Sequence, residues 1–120
     1  PQRGAPDKAF LVHIEIMGQR FTLLNGSPHY RLTPAASIEV HLDTQAEVDL
    51  LWHALLQGGQ AQRCGWLVDR WGVSWQIVPQ RFMERMEEPP SPARQRMTTA
   101  MRQMRKLDIA ALERAYAGTP

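Results

Sequence analysis

Apolar and polar positions alternate from Val12 onward within Phe10 to Met17: Val12, Ile14 and Ile16 fall on one side, His13 and Glu15 on the other. That is the period of a half-buried strand. Gly18-Gln19 supplies a two-residue turn with glycine at its first central position, and Arg20 to Leu24 returns before Asn25-Gly26, so a hairpin is expected. Ser27 to Ala36 holds two prolines and no apolar period and reads as a surface connection. Ser37 to Leu42 alternates again, with Ile38, Val40 and Leu42 opposite Ser37, Glu39 and His41. The period then lengthens. Thr44-Gln-Ala-Glu47 is a capping box, and Val48, Leu51, Trp52 and Leu55 form one helical stripe closed by Gly58-Gly59.

A short strand is expected over about Ala61 to Cys64. The stretch Cys64 to Pro79 follows, with three of the four tryptophans and the only cysteine. Trp66 to Asp69 and Ser74 to Val78 read as two strands reversed through Arg70-Trp71-Gly72 and ended by Pro79. Strand, helix and three strands make a β-α-β-β-β module. Beyond Pro79 the pattern is helical: a turn at Phe82 to Met86, a breaker at Glu87 to Pro92, then a helix with Met97, Met101 and Met104 on one side. A last helix is capped by Asp108, carries Ile109, Leu112 and Tyr116, and is stopped by Gly118. The class is α+β, with residues 1–80 as the core and 81–120 as a helical extension of the same domain.

Composition narrows the class. A chain of 120 residues suits one domain, and 43% hydrophobic with 22% charged residues is a globular balance. No apolar run reaches the roughly 20 residues of a membrane helix, and no secretory pattern opens the chain. A lone cysteine excludes an intramolecular disulfide framework and suits a cytoplasmic protein. The chain starts without Met and its pattern begins abruptly at Ala9, so a fragment, or a missing upstream part, is expected. The net charge is only +2, but Pro92 to Lys106 holds Arg94, Arg96, Arg102, Arg105 and Lys106 with no acid. A solvated helix face explains this better than a nucleic-acid partner, because no nucleic-acid-binding module accompanies it.

The chemistry candidates are sparse. His13, Glu39 and His41 would make a nitrogen and oxygen metal site if their faces converged, or are simply polar strand residues. His53 points off its stripe, and His29 sits in the connection. Cys64 has no local histidine to activate it and reads as a structural thiol. Trp66, Trp71 and Trp75 suit the core, or a flat-ligand pocket for the one sharing the Gln76 face. The Met stripe is a packing or dimer face. There is no GxGxxG, P-loop lysine or GxSxG.

Asp43 to Trp52, Cys64 to Pro79, Met104 to Tyr116 and the Leu24-Asn25-Gly26 that follows the first hairpin together resemble the PhnB-like branch of the glyoxalase/bleomycin-resistance superfamily. The resemblance implies the vicinal oxygen chelate fold, two β-α-β-β-β modules around a cavity, often completed in a homodimer. Here the second module is complete and the first is represented by its last hairpin. Members carry the label demethylubiquinone methyltransferase. The metal-ligand positions of metal-dependent relatives fall at Ser37, at Gln76 and, by analogy between modules, at Thr22; the fourth lies outside the chain. None is a histidine or carboxylate, so the resemblance implies the cavity without the usual metal. A small molecule bound by Thr22, Ser37, Glu39, His41, Trp66 and Gln76, with no cofactor and no membrane partner, is the expected role. The alternatives are a metal-dependent lyase or dioxygenase-like enzyme using His41 with Glu39 in a relocated metal site, or the methyl transfer of the label.

Overall fold

The computed structural model describes residues 9–26 and 28–120. The loop expected over residues 1–8, and Ser27 within the expected connection, lie outside the described residues. The chain divides into two compact units, residues 1–31 and 32–120.

The first unit is the expected hairpin, with strands β1 (Leu11–Ile16) and β2 (Gln19–Leu24) paired antiparallel. Its turn is not Gly18-Gln19 but Met17-Gly18, one residue earlier, with φ of 49° and 81°. Two positive φ values match the right-handed twist of the flanking strands. The adopted register also sets Glu15 opposite Arg20 and His13 opposite Thr22, whereas the expected one would pair His13 with Leu24. Complementary cross-strand pairs thus offset the ~1 kcal/mol or more of left-handed strain at Met17.

The second unit is the β-α-β-β-β module followed by three helices. Strand β3 (Ile38–Leu42) leads into α1 (Gln45–Leu56), then β4 (Gln60–Ala61), β5 (Trp66–Val68) and β6 (Ser74–Pro79). Helices α2 (Gln80–Glu87), α3 (Pro92–Met101) and α4 (Ile109–Ala117) complete it. The sheet order is β3-β6-β5-β4, with β3 parallel to β6 and the other pairs antiparallel. Among the described residues no helix is long and apolar enough to cross a membrane.

Alternation along β6 sends successive side chains to opposite faces. Trp75 and Ile77 share a face with Val40 and Leu67, and α1 packs on these strands with Val48 and Trp52 buried as its stripe foretold. The cap is the expected one, since Thr44 Oγ1 accepts from the Glu47 N–H at 3.2 Å and donates to the Glu47 carboxylate at 2.8 Å. Val78 turns to the other face and enters a core with Phe82, Met97, Leu107 and Leu112. The methionines therefore form an internal packing face, although Met104 lies past the end of α3.

The expected strand Ala61 to Cys64 is cut to Gln60–Ala61, because Cys64 and Gly65 both adopt positive φ, 63° and 83°. There the chain turns to meet the segment before α4: the Cys64 N–H donates to Met104 O and the Gly65 N–H to Arg105 O, each at 2.8 Å. Gln45, in the first turn of α1, donates to Leu107 O at 3.1 Å and accepts from the Ile109 N–H at 2.7 Å. Lys106 pairs with Asp49 at 2.9 Å. Within the C-terminal helices, Arg85 lies over the Tyr116 ring at 3.6 Å, and the Tyr116 hydroxyl donates to Glu88.

Two predictions follow from these contacts. A Cβ on Gly65 would lie 2.9 Å from Ile77 O and 3.1 Å from the Leu107 side chain, at a φ that disfavours L-residues. Gly65→Ala is expected to lower unfolding free energy by about 2 kcal/mol or more, read from chemical denaturation. The second concerns acid. Hydrogen bonding from Gln45, then Lys106, holds the Asp49 carboxyl below the usual carboxylate range, and the Tyr116 hydroxyl, then Arg85, does the same for Glu88. A depressed carboxylate pKa stabilises the folded state above the unfolded value and ceases to do so as pH falls through the folded value. Melting temperature should therefore fall below about pH 4, and Asp49→Asn with Glu88→Gln should flatten that acid limb relative to the parent.

Candidate functional site

The β5–β6 hairpin is held by a residue that alternation alone did not single out. Asp69 is buried, and its carboxylate accepts from the Trp71 N–H, the Val73 N–H and the Trp75 indole N–H, each at 2.9 Å. Three donors on one buried carboxylate fix the turn and the Trp75 rotamer together. The signal available in the sequence was Asp69 two residues before Trp71, the spacing at which an Asp side chain bonds its own backbone.

That hairpin sets the register of β6 against both neighbours. Gln76 stands directly between Glu39 on β3 and Trp66 on β5, so the three share one face of the sheet. Gln76 Nε2 donates to Ser37 Oγ at 2.9 Å, and His41 Nε2 lies 3.4 Å from Glu39 Oε2. Five of the six expected ligand-binding residues thus come together as a polar row on an open face, while its Val78 end is covered by the C-terminal core. Ser74, two residues before Gln76, is buried and its hydroxyl has no partner among the described residues.

Thr22 belongs to the first unit, where its Oγ1 is hydrogen-bonded to His13 Nδ1 at 3.0 Å. Among the described residues no group of three His, Cys, Asp or Glu gathers as a metal site would need; of the considered triad, His13 belongs to the first unit and Glu39 and His41 to the second. Ser37 and Gln76 are bonded to each other, and a hydroxyl and a neutral amide are weak donors for a borderline divalent metal. These residues do not fit one. Cys64 is half-buried, His53 is exposed, and Trp71 projects from the hairpin tip at 74% exposure beside the Arg70 guanidinium. Trp75 is core, leaving Trp66 as the tryptophan on the Gln76 face.

Compared with known proteins, the family model described as 3-demethylubiquinone-9 3-methyltransferase matches residues 1–78. The chain belongs to that family. Among solved structures, the PhnB protein from Bacillus cereus is 26% identical with a TM-score of 0.57, over 65% of this chain and 74% of that one. Protein PA1353 from Pseudomonas aeruginosa, at 22% identity and a TM-score of 0.52, covers 62% of this chain and 70% of its own and shows the fold. No curated protein matches. The chain is thus a PhnB-like protein of the glyoxalase fold. The family match ends at Val78, inside β6, so α2, α3 and α4 lie beyond it.

Removing the hairpin's anchor tests the architecture under the row. Asp69→Ala leaves the Trp75 indole N–H and two backbone N–H groups without their acceptor. It should cost about 3 kcal/mol of stability in denaturant melts, whereas Trp71→Ala, at the exposed tip, should cost under about 0.5 kcal/mol.

Proposed function

We propose that this PhnB-like protein binds a small organic molecule on the polar face of its four-stranded sheet, without the divalent metal of metal-dependent glyoxalase-fold relatives. The observation that carries the reading is the Gln76–Ser37 hydrogen bond. Positions that resemble metal-ligand positions hold a neutral amide and a hydroxyl bonded to each other at 2.9 Å. Trp66 offers a flat apolar surface beside them, and Glu39 with His41 offers a carboxylate and an imidazole along the same face. An aromatic surface with a few convergent polar groups suits an organic ligand better than a bare cation.

The family's name supports a second reading, methyl transfer. Such a transfer commonly uses a donor cradled by a Gly-rich turn in a doubly wound sheet. Here the four strands are mixed in direction, and the sequence holds no GxGxxG. The name therefore points to a chemistry for which the module offers no recognisable donor pocket.

Elemental analysis of protein purified without a metal-affinity tag is expected to find less than stoichiometric zinc, nickel or iron. A stoichiometric divalent metal would overturn the metal-free reading. Native mass spectrometry of gently purified protein should show a bound organic mass that Gln76→Ala and Trp66→Ala diminish. Calorimetry with S-adenosylmethionine is expected to give no saturable heat, and a saturable isotherm would restore the methyltransferase reading.

A further inference from the structure

The basic stretch Pro92 to Lys106 is not explained by the polar row, and its cations divide into two groups. Three act as internal clasps outside the cleft that the other two line. Arg96 donates to the Ala115 and Tyr116 carbonyls at the end of α4, Arg105 donates to Ala61 O, and Lys106 pairs with Asp49. The other two, Arg94 and Arg102, line one cleft of about 570 Å³ beside α3, together with Met86, Gln95 and Thr98. Arg94 also ties α3 to the end of α2, through one Nη1 bond to Glu88 O at 2.6 Å, and its other guanidinium N–H groups have no partner among the described residues. The Arg102 side chain has no partner among the described residues.

No acidic side chain lines this cleft. The nearby Glu88 carboxylate is engaged by Tyr116 and Arg85. Arg94, Thr98 and Arg102 recur at four-residue spacing, and Arg102 keeps helical dihedrals past the end of α3. Residues at that spacing share one helix face, with the two arginine Cα atoms about 12 Å apart. Thr98, between them on the helix, is polar and uncharged, and Met86 of α2 adds an apolar group to the lining. The cleft is open to solvent, and its volume falls within the range of small-molecule sites. Guanidinium groups pair with carboxylate or phosphate through two parallel N–H donors, whereas a bare cation would be repelled.

We propose that this cleft binds an elongated small molecule with an anionic group at each end, one on Arg94 and one on Arg102, its apolar middle lying against Met86. The site is separate from the Gln76 row and lies beyond the residues that the family model matches. It does not depend on the reading of that row.

The test uses the whole protein, with the eight-carbon dicarboxylate suberate and the monocarboxylate octanoate as probes in calorimetric titrations at low and raised salt. Suberate should bind saturably, octanoate about tenfold more weakly for want of the second charge-assisted contact, and salt should weaken both. Arg102→Gln should weaken suberate about tenfold while leaving the melting temperature unchanged, because the side chain supports no internal contact. Absence of saturable suberate binding, equal affinity for octanoate, or an unaffected Arg102→Gln variant would each overturn the proposal. Duplex DNA binding that Arg102→Gln abolishes, with no binding of suberate, would replace the small anion with nucleic acid.

Discussion

The second unit depends on the approach of three chain segments at Gly65. Its N–H donates to Arg105 O and its carbonyl accepts from the Ile77 N–H, both at 2.8 Å, while Leu107 packs where a Cβ would stand. A side chain there would force β6 or the segment before α4 away. Because α1 grips that same segment through Gln45 and Lys106, the helix on one face of the sheet and the core on the other are tied through a few consecutive residues. Positive φ at Cys64 and Gly65 costs something at Cys64, and the two hydrogen bonds to residues 104 and 105 offset it. The lone cysteine is thus a corner residue, and its conformation explains its place better than any reactivity of its thiol.

The two faces of the sheet follow from this closure. One is sealed by α1. The other is occupied at the Val78 end by the methionine-lined core, and its remaining length carries Trp66, Gln76 and Glu39 abreast. Asp69 controls that second part from a distance. By fixing the turn between β5 and β6 it sets which β6 residue stands opposite Trp66, and a slip of one residue would send Gln76 to the α1 side. The polar row is therefore a product of register, maintained by a buried carboxylate that does not belong to it.

Much of this was legible in the sequence because the periods were clean. The capping box at Thr44, the stripe of Val48 and Trp52, and the Asp108 and Gly118 ends of α4 are local signals, and each is met locally. The alternation of Ser37, Glu39 and His41 placed them on one face, and the paired strands delivered Gln76 and Trp66 beside them. What the pattern misplaced was decided by pairing partners. The first turn moved from Gly18-Gln19 to Met17-Gly18 because Glu15 finds Arg20 and His13 finds Thr22 only in that register. The strand before Cys64 ended early because Met104 and Arg105, some forty residues on, supply the acceptors that turn it. No short window contains both ends of such a contact.

The charges of Pro92 to Lys106 show the same limit. Counted along the chain, five cations without an acid suggest a single basic surface. In the fold, four are directed at specific carbonyls or at Asp49, where each holds one element against another, and only the Arg102 side chain has no such partner among the described residues. A cation bonded to the end of a helix meets an outside anion only through the N–H groups that the helix leaves free, as Arg94 does after one donor is spent on Glu88 O. The free guanidinium donors available to a ligand are thus fewer than the composition suggests. Likewise, a hydroxyl and an amide that satisfy each other at Ser37 and Gln76 leave less for a metal than their positions imply. In both places, what a side chain can bind is set by the partner it already has.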